Sequence, residues 1–209
     1  MRGAEILLLR HGQSEGNQGG RFGGHGPTLL TLFGRAQAEA IVRAFAAEGL
    51  TAIFSSDLVR AVETAEPISR ATGIAMARTP ALRERSVGVL TGLTFAEAET
   101  RHPEAFAALM RREAGARPPD GETHGECAAR AGALLDQVLA KFPHGRTLLV
   151  SHALTIYLLL LHVLGLEDAA ERLFFRTDNC ALHRLRRIDG RWTVLALNDR
   201  AHLANVSAD

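Results

Sequence analysis

Lysine is almost missing from this chain: Lys141 is the only one among 24 Lys and Arg residues. A P-loop nucleotide site needs a lysine after its glycines, and the cluster Gly19-Gly20-Arg21-Phe22-Gly23-Gly24 offers none. Cysteine is equally scarce. Cys127 and Cys180 are too few and too far apart in sequence for a disulfide framework or a zinc site, so two buried or reduced thiols are expected. Neither sign of charge dominates. With a formal net charge of +1 and 22% charged residues, composition gives no argument for nucleic acid, a membrane surface or an acidic partner. Long apolar runs are missing too: only Thr147 to Leu166 approaches membrane-span length, and Ser151, His152 and His162 interrupt it. The start, Met1-Arg2-Gly3-Ala4-Glu5, leads into only a short apolar run, so no signal peptide is visible in it and a cytoplasmic location is expected.

What is present is a length of 209 residues, suited to one domain with a large core, and short apolar runs that stop at polar residues. Ile6-Leu7-Leu8-Leu9 has the pattern of a strand buried on both faces, and it runs straight into Arg10-His11-Gly12. Leu32 to Glu48 carries apolar residues at helical spacing. Ala52-Ile53-Phe54 is a second strand, followed by Ser55-Ser56-Asp57 as helix-capping candidates and by a helix over Leu58 to Ala71 that Pro67 should kink or divide. Arg60 falls in the first turn of that helix, where free N–H groups and the dipole already favour an anion.

Leu82 to Leu93 reads as irregular; on local evidence its Glu84 is a solvated loop carboxylate between two surface arginines, Arg83 and Arg85. Phe95 to Arg112 is a helix candidate broken at Pro103, and Ala114 to Gly125 is a turn-rich connector. Helical spacing resumes over Glu122 to Phe142. Leu148-Leu149-Val150 then repeats the first arrangement: a buried strand ends in Ser151-His152 and an apolar helix follows over Leu154 to Leu164. Asp189-Gly190 turns a hairpin between Leu182 to Ile188 and Trp192 to Leu197. Its arginines fit a solvated sheet face, since no aromatic platform interleaves with them as a single-stranded nucleic-acid site requires.

Three strand ends thus deliver phosphate-compatible groups: Arg10 and His11, then Arg60, then His152. This ordered set resembles the histidine phosphatase superfamily in its phosphoglycerate-mutase-like branch. The resemblance rests on Arg10-His11-Gly12 with Asn17, Ser55-Ser56-Asp57-Leu58-Val59-Arg60-Ala61, Leu82-Arg83-Glu84, Ser151-His152 and the tail from Asn179-Cys180 to His202-Leu203, and it covers essentially the whole chain. It implies an α/β three-layer sandwich with a mostly parallel central sheet flanked by helices. Residues 1–209 would form one domain, with a small helical and loop insertion around 94–125 near the active site.

The implied chemistry is phosphoryl transfer through a phosphohistidine, with His11 as nucleophile, Glu84 as acid and then base, and His152 as a further donor in cationic form. Arg10, Asn17 and Arg60 would bind phosphate, with backbone N–H groups near Gly23 and Ala153 adding contacts; Ala153 stands where family members often have glycine. Arg83 and Arg85 would point outward, away from the acid. Permanently charged guanidinium groups can meet the charge of the transition state, so no metal and no cofactor are expected. The remaining histidines form no spaced ligand set; His124 and Cys127 make half a zinc site at most.

Within the resemblance, mutases place a tyrosine and a lysine where this chain has Val87 and Phe95, and they carry a long insertion after the proline pair that Pro118-Pro119 lacks. Both departures favour hydrolysis of a small-molecule phosphate ester. Arg111-Arg112, at the position of a mutase arginine pair, points back toward isomerisation. A phosphomonoesterase is therefore the reading, with a cofactor-dependent phosphoglycerate mutase or a non-catalytic phospho-ligand module as alternatives. No nucleic-acid or membrane partner is expected, and a homodimer is open.

Overall fold

The computed structural model describes residues 3–45, 49–111, 113, 115–167 and 173–207. Its centre is a six-stranded sheet in the order β3-β2-β4-β1-β5-β6, built from β1 (Ala4–Arg10), β2 (Ala52–Ser56), β3 (Met76–Thr79), β4 (Arg146–Ser151), β5 (Leu182–Ile188) and β6 (Arg191–Asp199). The four strands from β3 to β1 run parallel, and β5 and β6 add an antiparallel edge.

Successive side chains of a strand face opposite sides, and β1 uses both. Ile6 and Leu8 pack with Leu149 against α6 (His124–Lys141) and α7 (Ala153–Leu164). Leu7 and Leu9 pack with Leu148 and Val150 against α2 (Leu32–Phe45) and α3 (Val59–Thr72). Helices therefore cover both faces, which is why the sheet strands read as unbroken apolar runs. Between β3 and α6, the short helices α4 (Phe95–Arg101) and α5 (Pro103–Met110) enclose a separate apolar cluster of Val87, Leu90 and Ala98 with Phe22 and Phe106. The break between them falls at Pro103, the first residue of α5.

Several local expectations need correction. α3 runs undivided through Pro67, whose lost N–H removes one bond from a helix that Ala61, Ala65 and Ile68 already hold against the sheet. Asp57 does not cap it: the N-cap is Leu58, without a side-chain bond, and Asp57 instead accepts two bonds from Arg83. β3 has no apolar run to announce it, because this short edge strand exposes Ala77 and Arg78. The end expected for α2 at Glu48 lies outside the described residues. At the 189–190 turn both residues have positive φ, 49° for Asp189 and 77° for Gly190, as a tight two-residue hairpin demands.

One close approach sets the geometry of the first strand end. A Cβ on Gly12 would stand 2.5 Å from the Gly34 carbonyl oxygen, and one on Gly34 would stand 2.0 Å from that of Gln13. Only glycine at both positions lets the amino end of α2 press directly on the loop after β1. Among the described residues no helix is long and apolar enough to cross a membrane.

Candidate active site

The carboxyl ends of β1, β4 and β2 are neighbours in the sheet, with Arg10 paired to Ser151 and Ser55 to Val150. Open α/β sheets bind ligands outside this edge. The loops leaving it bring Arg10, His11, Arg60 and His152 into one cluster: His11 and His152 have ring centroids 5.0 Å apart, and Arg60 Nε lies 3.3 Å from His11 Nε2.

The protonation of His11 follows from its partners. Its Nδ1 lies 2.7 Å from the Gly12 carbonyl oxygen, which can only accept, so Nδ1 carries the proton. Arg60 Nε–H can only donate, so Nε2 presents its lone pair. Burial, then the charges of Arg60 and Arg10, hold the ring well below the usual histidine range and keep it neutral. The backbone is fixed as well. His11 N–H donates to Ser151 O at 3.0 Å, the His11 carbonyl accepts from Cys180 N at 3.1 Å and Asn179 Nδ2 at 3.2 Å, and Gly12 N–H reaches Thr64 Oγ1 at 3.0 Å.

His152 was expected as a cation, and the structure corrects this. It is fully buried, and desolvation together with Arg60, His11 and Arg10 pushes its pKa well below the usual value, so the ring is neutral. Its Nε2 pairs with Ser56 Oγ at 2.9 Å, while Nδ1 has no protein partner. Arg10 Nε is likewise buried without a partner, although its Nη1 donates to Thr177 O at 2.6 Å. Two buried polar atoms left open in one cluster are the kind of exception that a bound ligand explains.

Arg60 is more engaged than Arg10. Besides His11 it donates to Gly26 O at 3.0 Å and Gly24 O at 2.9 Å, which holds the loop containing Gly23 directly over its guanidinium. Burial lowers its pKa to about 10, still far above neutrality. Asn17 ends a capping box in α1 (Glu15–Gln18), where its Oδ1 accepts from Ser14 N, Ser14 Oγ and Asn179 Nδ2. With Oδ1 so occupied, the amide nitrogen is the end available to a ligand oxygen.

Glu84 is not a solvated loop carboxylate. Oε2 accepts from Leu154 N at 3.2 Å and Oε1 from Thr155 N at 3.2 Å, so the carboxyl faces the amino end of α7. The remaining N–H of that first turn, on Ala153, has no acceptor within the helix.

The two flanking arginines differ. Arg83 turns out onto Asp57 in a bidentate pair, but Arg85 is 2% exposed and donates to Glu122 O at 2.7 Å and Ala116 O at 2.6 Å. The outward expectation fails for Arg85 because buried carbonyls of the 115–122 connector need donors, and this guanidinium supplies them.

Sequence reasoning missed the groups that hold Glu84. Arg130 on α6 donates to the carbonyls of Ala81, Arg83 and Glu84 at 2.8–2.9 Å and bonds both oxygens of Glu122 at 3.0 Å. His25 Nε2 also meets the Glu84 carbonyl, at 2.8 Å, and thereby ties the loop over Arg60 to the loop of Glu84. A buried-arginine signal could have come only from position: Arg130 interrupts the apolar spacing between Cys127 and Ala131. Arg111 pairs with Glu113 at 2.7 Å on the surface, and Arg112 lies outside the described residues. Among the described residues no group of three or more His, Cys, Asp and Glu is placed to hold a metal ion, and both cysteines are free and buried.

A mostly parallel α/β sheet thus brings two histidines and two arginines together at its carboxyl edge, a set of groups able to receive an oxyanion. Comparison with known proteins gives it a family: residues 6–200 match the model of the histidine phosphatase superfamily, branch 1, and the chain belongs to that superfamily. It is 34% identical over 210 residues to a Proteus mirabilis (strain HI4320) protein named "Probable phosphoglycerate mutase GpmB", covering 98% of this chain and 97% of that one. Among solved structures it is similar to a mycobacterial glucosyl-3-phosphoglycerate phosphatase in complex with VO3, with TM-score 0.85, 30% identity and coverage of 96% and 100%. It is similar also to Bacillus stearothermophilus YhfR, with TM-score 0.88, 25% identity and coverage of 96% and 99%.

Proposed function

We propose that the protein is a phosphomonoester hydrolase acting through a covalent phosphohistidine. The observation that carries this reading is the tautomer of His11: a proton locked on Nδ1 by the Gly12 carbonyl leaves a neutral Nε2 lone pair among two guanidinium groups. In the first step His11 Nε2 attacks phosphorus and forms a P–N bond while the ester P–O bond breaks; Glu84 gives its proton to the departing alkoxide. In the second step water attacks phosphorus, the P–N bond breaks, the electron pair returns to His11 and Glu84 takes the proton of the water. Arg10, Arg60, the amide nitrogen of Asn17 and the N–H groups of Gly23 and Ala153 meet the charge on the equatorial oxygens, and His152 Nδ1 faces the same charge.

The protein should hydrolyse p-nitrophenyl phosphate, and rapid quenching should trap a phosphoenzyme stable to base and labile to acid, absent in His11→Ala. Normal turnover in that variant would overturn the reading. The mutase alternative is supported by the names of the Proteus and Yersinia relatives, 34% and 33% identical, each a "Probable phosphoglycerate mutase GpmB". Following isomerisation of 3-phosphoglycerate with 2,3-bisphosphoglycerate separates the two.

A further inference from the structure

Beside Glu84 the structure contains a cavity of about 270 Å³. Its floor is shared with the site: Gly23 and Gly24, from the loop held by Arg60, line one end together with Glu84. Its wall is largely apolar, formed by Phe22, Val87, Phe95, Leu109, Tyr157 and Phe174, with His124 as a polar member. These rings are packed on one another rather than scattered. Phe22 and Phe95 have centroids 4.7 Å apart, Tyr157 and Phe174 5.4 Å, and the Tyr157 hydroxyl donates to Leu173 O at 2.6 Å.

The two arginines that line this space are already engaged. Arg85 donates to two backbone carbonyls, and Arg21 donates to Gly92 O at 2.9 Å and to Glu97 at 3.2 Å. Arg111, which stands at the position of a mutase arginine pair, pairs with Glu113 and does not line the cavity. A carboxylate entering here would be dehydrated next to Glu84 with both lining guanidinium groups already bonded elsewhere, which is unfavourable. An apolar group would lose water on both sides and stack on rings of suitable geometry.

We propose that this cavity holds the leaving group and that the substrate class is phosphomonoesters of small apolar or aromatic alcohols rather than phosphorylated acids, with Phe95 and Phe174 as specificity-determining residues. The volume lies just below the range of about 300–1,000 Å³ of ordinary small-molecule sites, which limits the occupant to one or two rings or a short alkyl chain. The inference rests on the phosphatase reading above.

The test compares 2-phenylethyl phosphate, ethyl phosphate and 3-phosphoglycerate, all alkyl phosphates, so that kcat/KM reports the pocket more than leaving-group basicity. The phenylethyl ester should exceed both others by roughly tenfold or more, the discrimination that apolar pockets deliver for added carbon. Phe95 and Phe174 are each 51% exposed, so Phe95→Lys and Phe174→Ala should fold. Each should lower the phenylethyl-to-ethyl ratio of kcat/KM, and Phe95→Lys should raise the relative rate on 3-phosphoglycerate. Hydrolysis of all three esters with 3-phosphoglycerate equal or preferred, or ratios unchanged in both variants, overturns the substrate class alone. Failure to hydrolyse any ester overturns the phosphatase reading and this inference with it.

Discussion

Arg60 donates its Nε–H to His11 Nε2 at 3.3 Å while its terminal nitrogens hold the carbonyls of Gly24 and Gly26. One planar group thus orients the His11 ring and fixes the loop above it, a division of donors that an ammonium point charge cannot reproduce. Arg60→Lys should keep the fold but lower kcat by roughly 10²–10³-fold, the loss typical of removing one preorganised donor from a charge-stabilising site. Steady-state kinetics with circular dichroism on the same sample checks this. A lysine variant of undiminished kcat would remove Arg60 from the chemistry.

The same contact has a consequence for titration. With Nδ1 bonded to a carbonyl and two guanidinium groups nearby, the His11 ring resists taking a second proton. Its nitrogen NMR signals should remain those of a neutral Nδ1–H ring as pH falls through 6.5 and change only at lower pH. The rate profile is a poorer readout, because the second ionisation of a phosphomonoester falls near pH 6. A ring that protonates at 6.5 or above would contradict the buried, cation-flanked environment.

Stability should carry the same signature through His183, which lies buried on β5 and accepts from Asn198 N–H at 3.3 Å. Burial lowers its pKa from 6.5 to about 4. Between those values the unfolded chain binds the proton and the folded chain does not. Stability is therefore complete above pH 6.5 and falls as pH drops toward 4, by up to about 1.4 kcal/mol per pH unit for each such histidine. His11 and His152 are shifted in the same direction and add to the slope. His183→Gln keeps an acceptor for Asn198 but cannot titrate. Denaturant unfolding at several pH values should show its slope reduced by one proton; an unchanged slope would mean that His183 is protonated in the fold.

The strand ends were legible because both faces of the central strands are covered. Ile6 to Leu9 and Leu148 to Val150 could only be interior strands, and interior parallel strands end where sites form, which is how His11 and His152 were singled out. The supports of Glu84 were not legible. Arg130 reaches carbonyls 46 to 49 residues away, and a side chain bonded to backbone across such a separation leaves no periodicity and no residue preference at the accepting positions. Arg83 and Arg85 show the same limit. They are chemically identical neighbours of one glutamate, and only the path of a connector more than 30 residues later in the chain decides that one is surface and the other interior.

Arg130 is therefore the residue whose role most needs a measurement, because it anchors the peptide that carries Glu84, the proposed acid. Glu122 matters only as its partner, accepting from Arg130 with both oxygens and from Ser86 N at 2.8 Å. Arg130→Lys retains the charge but cannot serve three carbonyls and a bidentate carboxylate together. The partly buried Glu122 would be left with a weaker partner, at a cost of about 1–3 kcal/mol in stability. If Arg130 only stabilised the fold, activity of the folded fraction would be unchanged. As a positioning residue it should instead lower kcat while inorganic phosphate still inhibits with its wild-type constant, since Arg10, His11 and Arg60 are untouched. The kcat deficit should be largest for esters with basic leaving alcohols and smallest for p-nitrophenyl phosphate, whose leaving oxygen needs little help from an acid. A uniform deficit across leaving groups, or a matching loss of phosphate affinity, would show that Arg130 acts on the whole site rather than through Glu84.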